Sequence, residues 1–84
     1  MLKRGMVVVS LNGRDAGKCM VVLGEEASRV MLADGKRRKL GAPKHKNPRH
    51  LRVTGHEISE ASMATDRELR RTLNVISVQI TEGG

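Results

Sequence analysis

The stretch "GMVVVSLNGRDAGKCMVVL", Gly5–Leu23, decides how this chain is read. Two valine-rich runs, "GMVVVSL" and "KCMVVL", flank a polar hexad, Asn12–Gly17. β-Branched and apolar runs of this length suit strands. The hexad is too short to be anything but a turn, and Gly13 and Gly17 supply the backbone freedom that a sharp reversal needs. The segment therefore predicts two antiparallel strands, with Arg14 and Lys18 presented at the turn.

"SRVMLA" (Ser28–Ala33) reads as a third strand after a polar "GEEA" connection. Asp34–Gly35 is the dipeptide favoured in tight type I′ hairpins, so "KRRKL" (Lys36–Leu40) is expected to return as a basic fourth strand. "GAPKHKNP" is expected to be irregular, because Pro43 and Pro48 each remove a backbone donor. "HLRVT", His50–Thr54, follows as a short fifth strand. Short strands joined by tight turns predict a small, strongly bent barrel.

The last third differs. Thr65 followed three residues later by Glu68 is a capping-box spacing, and it opens a helix near 65–74. Leu69 and Leu73 share one face of that helix, with Arg67, Arg70 and Arg71 mostly off it. In "VISVQIT", Ile76, Val78 and Ile80 alternate with polar residues, which argues for a terminal strand near 75–81. The pattern also admits a longer helix. "EGG" reads as a loose tail.

Composition bounds the function. Eighty-four residues make one domain, 1–84, with a core of Val, Leu, Ile and Met, since there is no Phe, Tyr or Trp. Cys19 is the one cysteine, which excludes an internal disulfide and suits a reducing compartment. With no signal-peptide pattern and no membrane-spanning run, a soluble, cytoplasmic protein is expected. The net charge of +7 is one-sided: residues 1–56 carry +9 and residues 57–84 carry −2. Lys36–Arg52 holds eight basic residues and no acidic one. A block of this kind favours polyanions, chiefly nucleic acid.

Several other chemistries fail on spacing. "GRDAGK" has three residues between its glycines and Cys19 after Lys18, so it is not a phosphate-binding P-loop. His45, His50 and His56 with Cys19 lack a zinc-ligand spacing and lie in or beside a cationic region, so no metal is expected. No acid/base pair or activated nucleophile can be placed, and neither an enzyme nor a cofactor is expected. Without aromatic rings, there is no proline-peptide groove, methyl-lysine cage or base-stacking platform. Charge and shape remain as the means of recognition.

The stretch 5–23 resembles the KOW motif: Gly5, Val8, Gly13, Gly17, Lys18 and Val21/Val22 fall on its pattern, and "VMLADGKRRKL" and "PKHKNPRHL" extend it. Ser10 departs from the motif, where many members carry an apolar residue. The resemblance covers about residues 4–54. It is similar to small bacterial KOW-domain RNA-binding proteins and to the KOW-type large-subunit ribosomal proteins of archaea and eukaryotes. It implies an SH3-like β-barrel that binds structured or ribosomal RNA, with 55–84 as a C-terminal extension. On this reading the RNA-binding residues are Arg14, Lys18, Lys36, Arg37, Arg38, Lys39, Lys44, His45, Lys46, Asn47, Arg49 and His50, and the turn residues are Gly5, Gly13, Gly17, Asp34 and Gly35. The other reading is a protein-docking module of the transcription or translation machinery, which an exposed apolar patch on 65–80 would mark. Neither reading involves a membrane or a small-molecule substrate.

Overall fold

A computed structural model of the chain describes residues 2–83, with side chains through Ile80. The chain is mainly β, with one antiparallel five-stranded sheet and one C-terminal helix. The strands are β1 (Met6–Ser10), β2 (Cys19–Glu26), β3 (Arg29–Ala33), β4 (Lys44–Lys46) and β5 (Leu51–Glu57). They lie in the order β4-β3-β2-β1-β5. The sheet is not closed into a barrel: β4 and β5 are its edges. The bond from Leu11 N–H to the His50 carbonyl (2.9 Å) continues the β1–β5 pairing, and Lys46 Nζ reaches from the edge strand β4 to the Asn12 carbonyl beyond β1 (2.7 Å).

Both sheet faces are covered, which explains why the strands are continuous apolar runs rather than alternating ones. Val7, Val21 and Ala33 sit opposite one another in register and pack beneath the helix with Met63, Leu69, Leu73 and Ile76. Val8, Met20, Val22, Val30 and Leu32 form a second cluster, joined by Leu2, Met6 and Leu51. Successive residues of a strand point to opposite faces, so Val7 and Val8 serve different clusters. Ser10, the departure from the motif, is buried and donates its hydroxyl to the Asn12 carbonyl at 3.1 Å. The pairing of β5 with β1 shifts register between Met6 and Val8, and Thr54 Oγ1 donates to the Val7 carbonyl there at 2.8 Å.

The hairpin over 5–23 matches the sequence reading. Its turn is a short 3-10 segment, Gly13–Asp15, and Gly5, Gly13 and Gly17 all have positive φ.

Four expectations are corrected. First, "GEE" belongs to β2, and the β2–β3 reversal is the pair Ala27–Ser28, whose φ values of 50° and 67° place two non-glycine residues in the left-handed region. Second, Lys36–Leu40 is not a strand. Asp34 Oδ1 accepts from the N–H groups of Lys36 (2.9 Å) and Arg38 (2.8 Å), and the Asp34 and Gly35 N–H groups both reach the Arg38 carbonyl. The segment curls on its own aspartate instead of running back along β3.

Third, the partner of β3 is β4, inside the stretch expected to be irregular, with Val30, Met31 and Leu32 opposite Lys46, His45 and Lys44. Pro43 and Pro48 lie just outside this three-residue edge strand, where a missing donor costs little. Fourth, 75–81 is helix, not strand. The helix α1 spans Asp66–Gly83, so the tail reading of "EGG" fails for Glu82 and Gly83; Gly84 lies outside the described residues. Ile76 and Ile80 fit both periods, but Val78 decides: it is 54% exposed while Ile76 is buried. Glu68 N–H bonds Thr65 Oγ1 at 3.1 Å, so the expected N-cap is in place. Among the described residues no helix is long and apolar enough to cross a membrane.

Candidate functional site

The basic residues do not share one fate. Arg38 donates from Nε and Nη2 to Asp15 Oδ2, both at 3.1 Å, and Asp15 is only 2% exposed. A buried carboxylate needs a partner, so this guanidinium is committed to the fold. Asp15 Oδ1 is left without a hydrogen-bond partner among the described residues. Lys46 is buried with its ammonium on the Asn12 carbonyl. His45 Nε2 lies 3.2 Å from Glu26 Oε1. Asn47 Oδ1 caps a short 3-10 turn by accepting from Arg49 N–H at 3.0 Å. Lys44 and His50 are half-buried, whereas Arg14, Lys39 and Arg49 are exposed.

The free cations converge elsewhere. A cleft of about 400 Å³ opens between the β1–β2 turn, the 34–37 loop and α1. Lys18 comes from the turn, Lys36 and Arg37 from the loop, and Arg70 from the helix. Among the described residues none of these four side chains makes a hydrogen bond or ion pair. Among the described residues the one carboxylate on the rim, Asp34, has its Oδ1 engaged by backbone N–H groups. Four cations without ion-pair partners against a single carboxylate give the concavity a net positive charge.

The helix wall is held in place by two features. Leu40 N–H bonds Asp66 Oδ1 at 2.7 Å, tying the basic loop to the first turn of α1. Gly35, at φ +78°, lets that loop lie against the helix: a Cβ there would collide with the Asp66 carbonyl oxygen and stand 3.0 Å from Arg70 N. Below Arg70 on the same helix, Asn74 and Ser77 continue the wall, and Cys19 and Leu73 add apolar surface. Burial pushes the Cys19 thiol up; a hydrogen bond with Ser77 and the charge of Arg52 oppose this in part. Burial thus disfavours the thiolate.

Of the basic residues expected from the sequence, the cleft brings together Lys18, Lys36 and Arg37, and it adds Arg70 and Asn74, which that expectation did not include. A signal existed: each follows a core leucine, Leu69 or Leu73, by one position. One step is about 100° round a helix, which puts both on the border of the buried stripe rather than opposite it. Among the described residues no three His, Cys, Asp or Glu groups are placed to share a metal ion. Compared with known proteins, the chain matches no family model and no curated protein.

Proposed function

We propose that this chain is a non-enzymatic RNA-binding module that holds structured RNA by its phosphates. The observation that carries the reading is the convergence of Lys18, Lys36, Arg37 and Arg70, all without protein partners among the described residues, on one cleft. Arg14, Lys39 and Arg49, exposed elsewhere on the chain, add further positive charge. The KOW resemblance of residues 4–54 supports ribosomal or ribosome-associated RNA as the class. The lack of any aromatic ring favours a folded RNA over a single-stranded run, which is usually held by stacking.

A salt series tests this. Each phosphate neutralised releases counterion, so affinity should fall steeply with salt, by a slope of roughly 0.7–0.9 per contact. Replacing Lys36, Arg37 and Arg70 with Ala should lower affinity and shrink the slope by about two to three contacts' worth. Arg67 and Arg71 lie outside the cleft lining, and their double Ala variant is the control. Equal loss of slope in both variants would remove the cleft from the interface.

A second reading, docking on a protein of the transcription or translation machinery, draws on Val75 and Val78, which are 58% and 54% exposed on the helix. On that reading Val75→Asp/Val78→Asp would abolish association with ribosomal or transcription complexes and leave RNA affinity unchanged.

A further inference from the structure

A bare phosphate site needs donors and positive charge only. This cleft contains more. Asn74, four residues after Arg70 and so directly below it on the helix, presents an amide that both donates and accepts. Among the described residues its side chain has no hydrogen-bond partner. A phosphate has no use for the amide's carbonyl oxygen, whereas a ribose hydroxyl or the edge of a base does. Cys19 and Leu73 add apolar lining, which suits a ring and not an anion. The planar guanidiniums of Arg37 and Arg70 are the groups that can lie against a base in a chain without aromatic side chains. The volume, about 400 Å³, falls at the small end of the range for a single bound ligand, roughly 300–1,000 Å³.

We infer that the cleft is a one-nucleotide subsite that takes a single nucleotide splayed out of a folded RNA, its phosphates on Lys18, Lys36, Arg37 and Arg70 and its sugar or base against Asn74. The inference rests on the RNA-binding reading and goes further by naming the unit recognised. A paired base cannot enter, because its edge is occupied and its ribose is held in the helix. The cleft therefore selects bulges and loops over uninterrupted duplex. Four of the ten residues lining the cleft lie on the helix, so the hairpin of residues 5–23 does not recognise this unit alone.

The test uses the full chain and two hairpin RNAs of the same stem, one with a single-nucleotide bulge and one without, titrated by anisotropy at matched salt. The bulged RNA should bind roughly tenfold more tightly, the worth of one or two added hydrogen bonds. Asn74→Ala should erase that preference, so that the two hairpins bind equally, while the salt slope stays the same because no charge is lost. Alanine is the better helix former, so the loss cannot be laid to unfolding. If both hairpins bind equally with a full salt slope, the subsite is refuted and the RNA-binding reading stands. If neither binds, that reading fails and takes the subsite with it. If free 5′-AMP displaces the bulged hairpin at equal molar concentration, the site serves free nucleotides, which also overturns the inference.

Discussion

Gly35→Ala tests the coupling between the basic loop and the helix. Gly35 has φ +78°, and an added Cβ would meet the Asp66 carbonyl oxygen, with Asp66 C at 3.1 Å and Arg70 N at 3.0 Å. All are helix backbone, so no side chain can swing aside. The left-handed conformation costs about 1–2 kcal/mol for a residue with a Cβ. The collision adds about 1–3 kcal/mol, as for other overpacked sites. Against this, alanine stiffens the unfolded chain and returns about 0.4–1 kcal/mol. The net loss is about 2–4 kcal/mol, large against the roughly 4–13 kcal/mol expected for a domain of this length. For such a domain it lowers Tm by roughly 10–25 °C.

The assay is a thermal melt by far-UV circular dichroism, because a chain without Trp or Tyr gives no intrinsic fluorescence signal of the usual kind. Gly17→Ala is the internal control. Gly17 has nearly the same φ, +82°, but nothing lies within 4 Å of its added Cβ. It should lose only about 1 kcal/mol, from conformation alone. A Gly35→Ala Tm equal to that of Gly17→Ala would show that the loop and helix backbones do not meet as described.

The remaining predictions concern the turn, a buried ion pair and acid stability. Ala27→Asn/Ser28→Gly puts the preferred dipeptide into the β2–β3 turn and should raise stability by about 0.5–1 kcal/mol in a urea melt, after the entropy of the added glycine is deducted; a loss would mean that the turn is not left-handed at both positions. Arg38→Ala strips Asp15 of its partner and should cost about 2–4 kcal/mol, less than a fully buried pair because Arg38 is a quarter exposed. Arg38→Lys should restore only part of that, since one ammonium cannot repeat the two guanidinium bonds. An unchanged melt in Arg38→Ala would refute the pair. The Arg4 guanidinium, bonded to Glu60 at 2.9 and 3.0 Å, holds the Glu60 carboxyl below its ordinary value of 4.5. A depressed folded-state value means stability present above pH 4.5 and lost as pH falls through the folded-state value. Glu60→Gln should therefore lower Tm at pH 7, by less and less as the pH falls below 4.5, and a change independent of pH would separate Glu60 from the acid transition.

What could be read along the chain was local. The hairpin over 5–23 rests on two β-branched runs and a glycine-bounded turn within nineteen residues, so its partners are near in sequence and its register follows from the turn. The start of α1 rests on Thr65 and Glu68, three residues apart. The cationic excess is simple counting.

What went the other way depended on partners far along the chain. Asp34–Gly35 has hairpin composition, yet Asp34 turned its carboxylate on its own loop while Asp66 took Leu40 N–H, and β3 paired instead with Lys44–Lys46. Residues 75–81 suit a strand and a helix about equally in apolar period. The sheet below α1 decided between them by covering Ile76 and leaving Val78 in solvent. The same holds for charge. Arg38, Lys46 and Arg70 are equivalent as letters, but a buried Asp15 claims the first and the Asn12 carbonyl the second. Only Arg70 keeps its charge free, and the packing of α1 on the sheet turns it into the cleft with Lys18, Lys36 and Arg37. Sequence sets how many charges the protein has; the desolvation of particular atoms in the folded chain sets which of them remain available to a ligand.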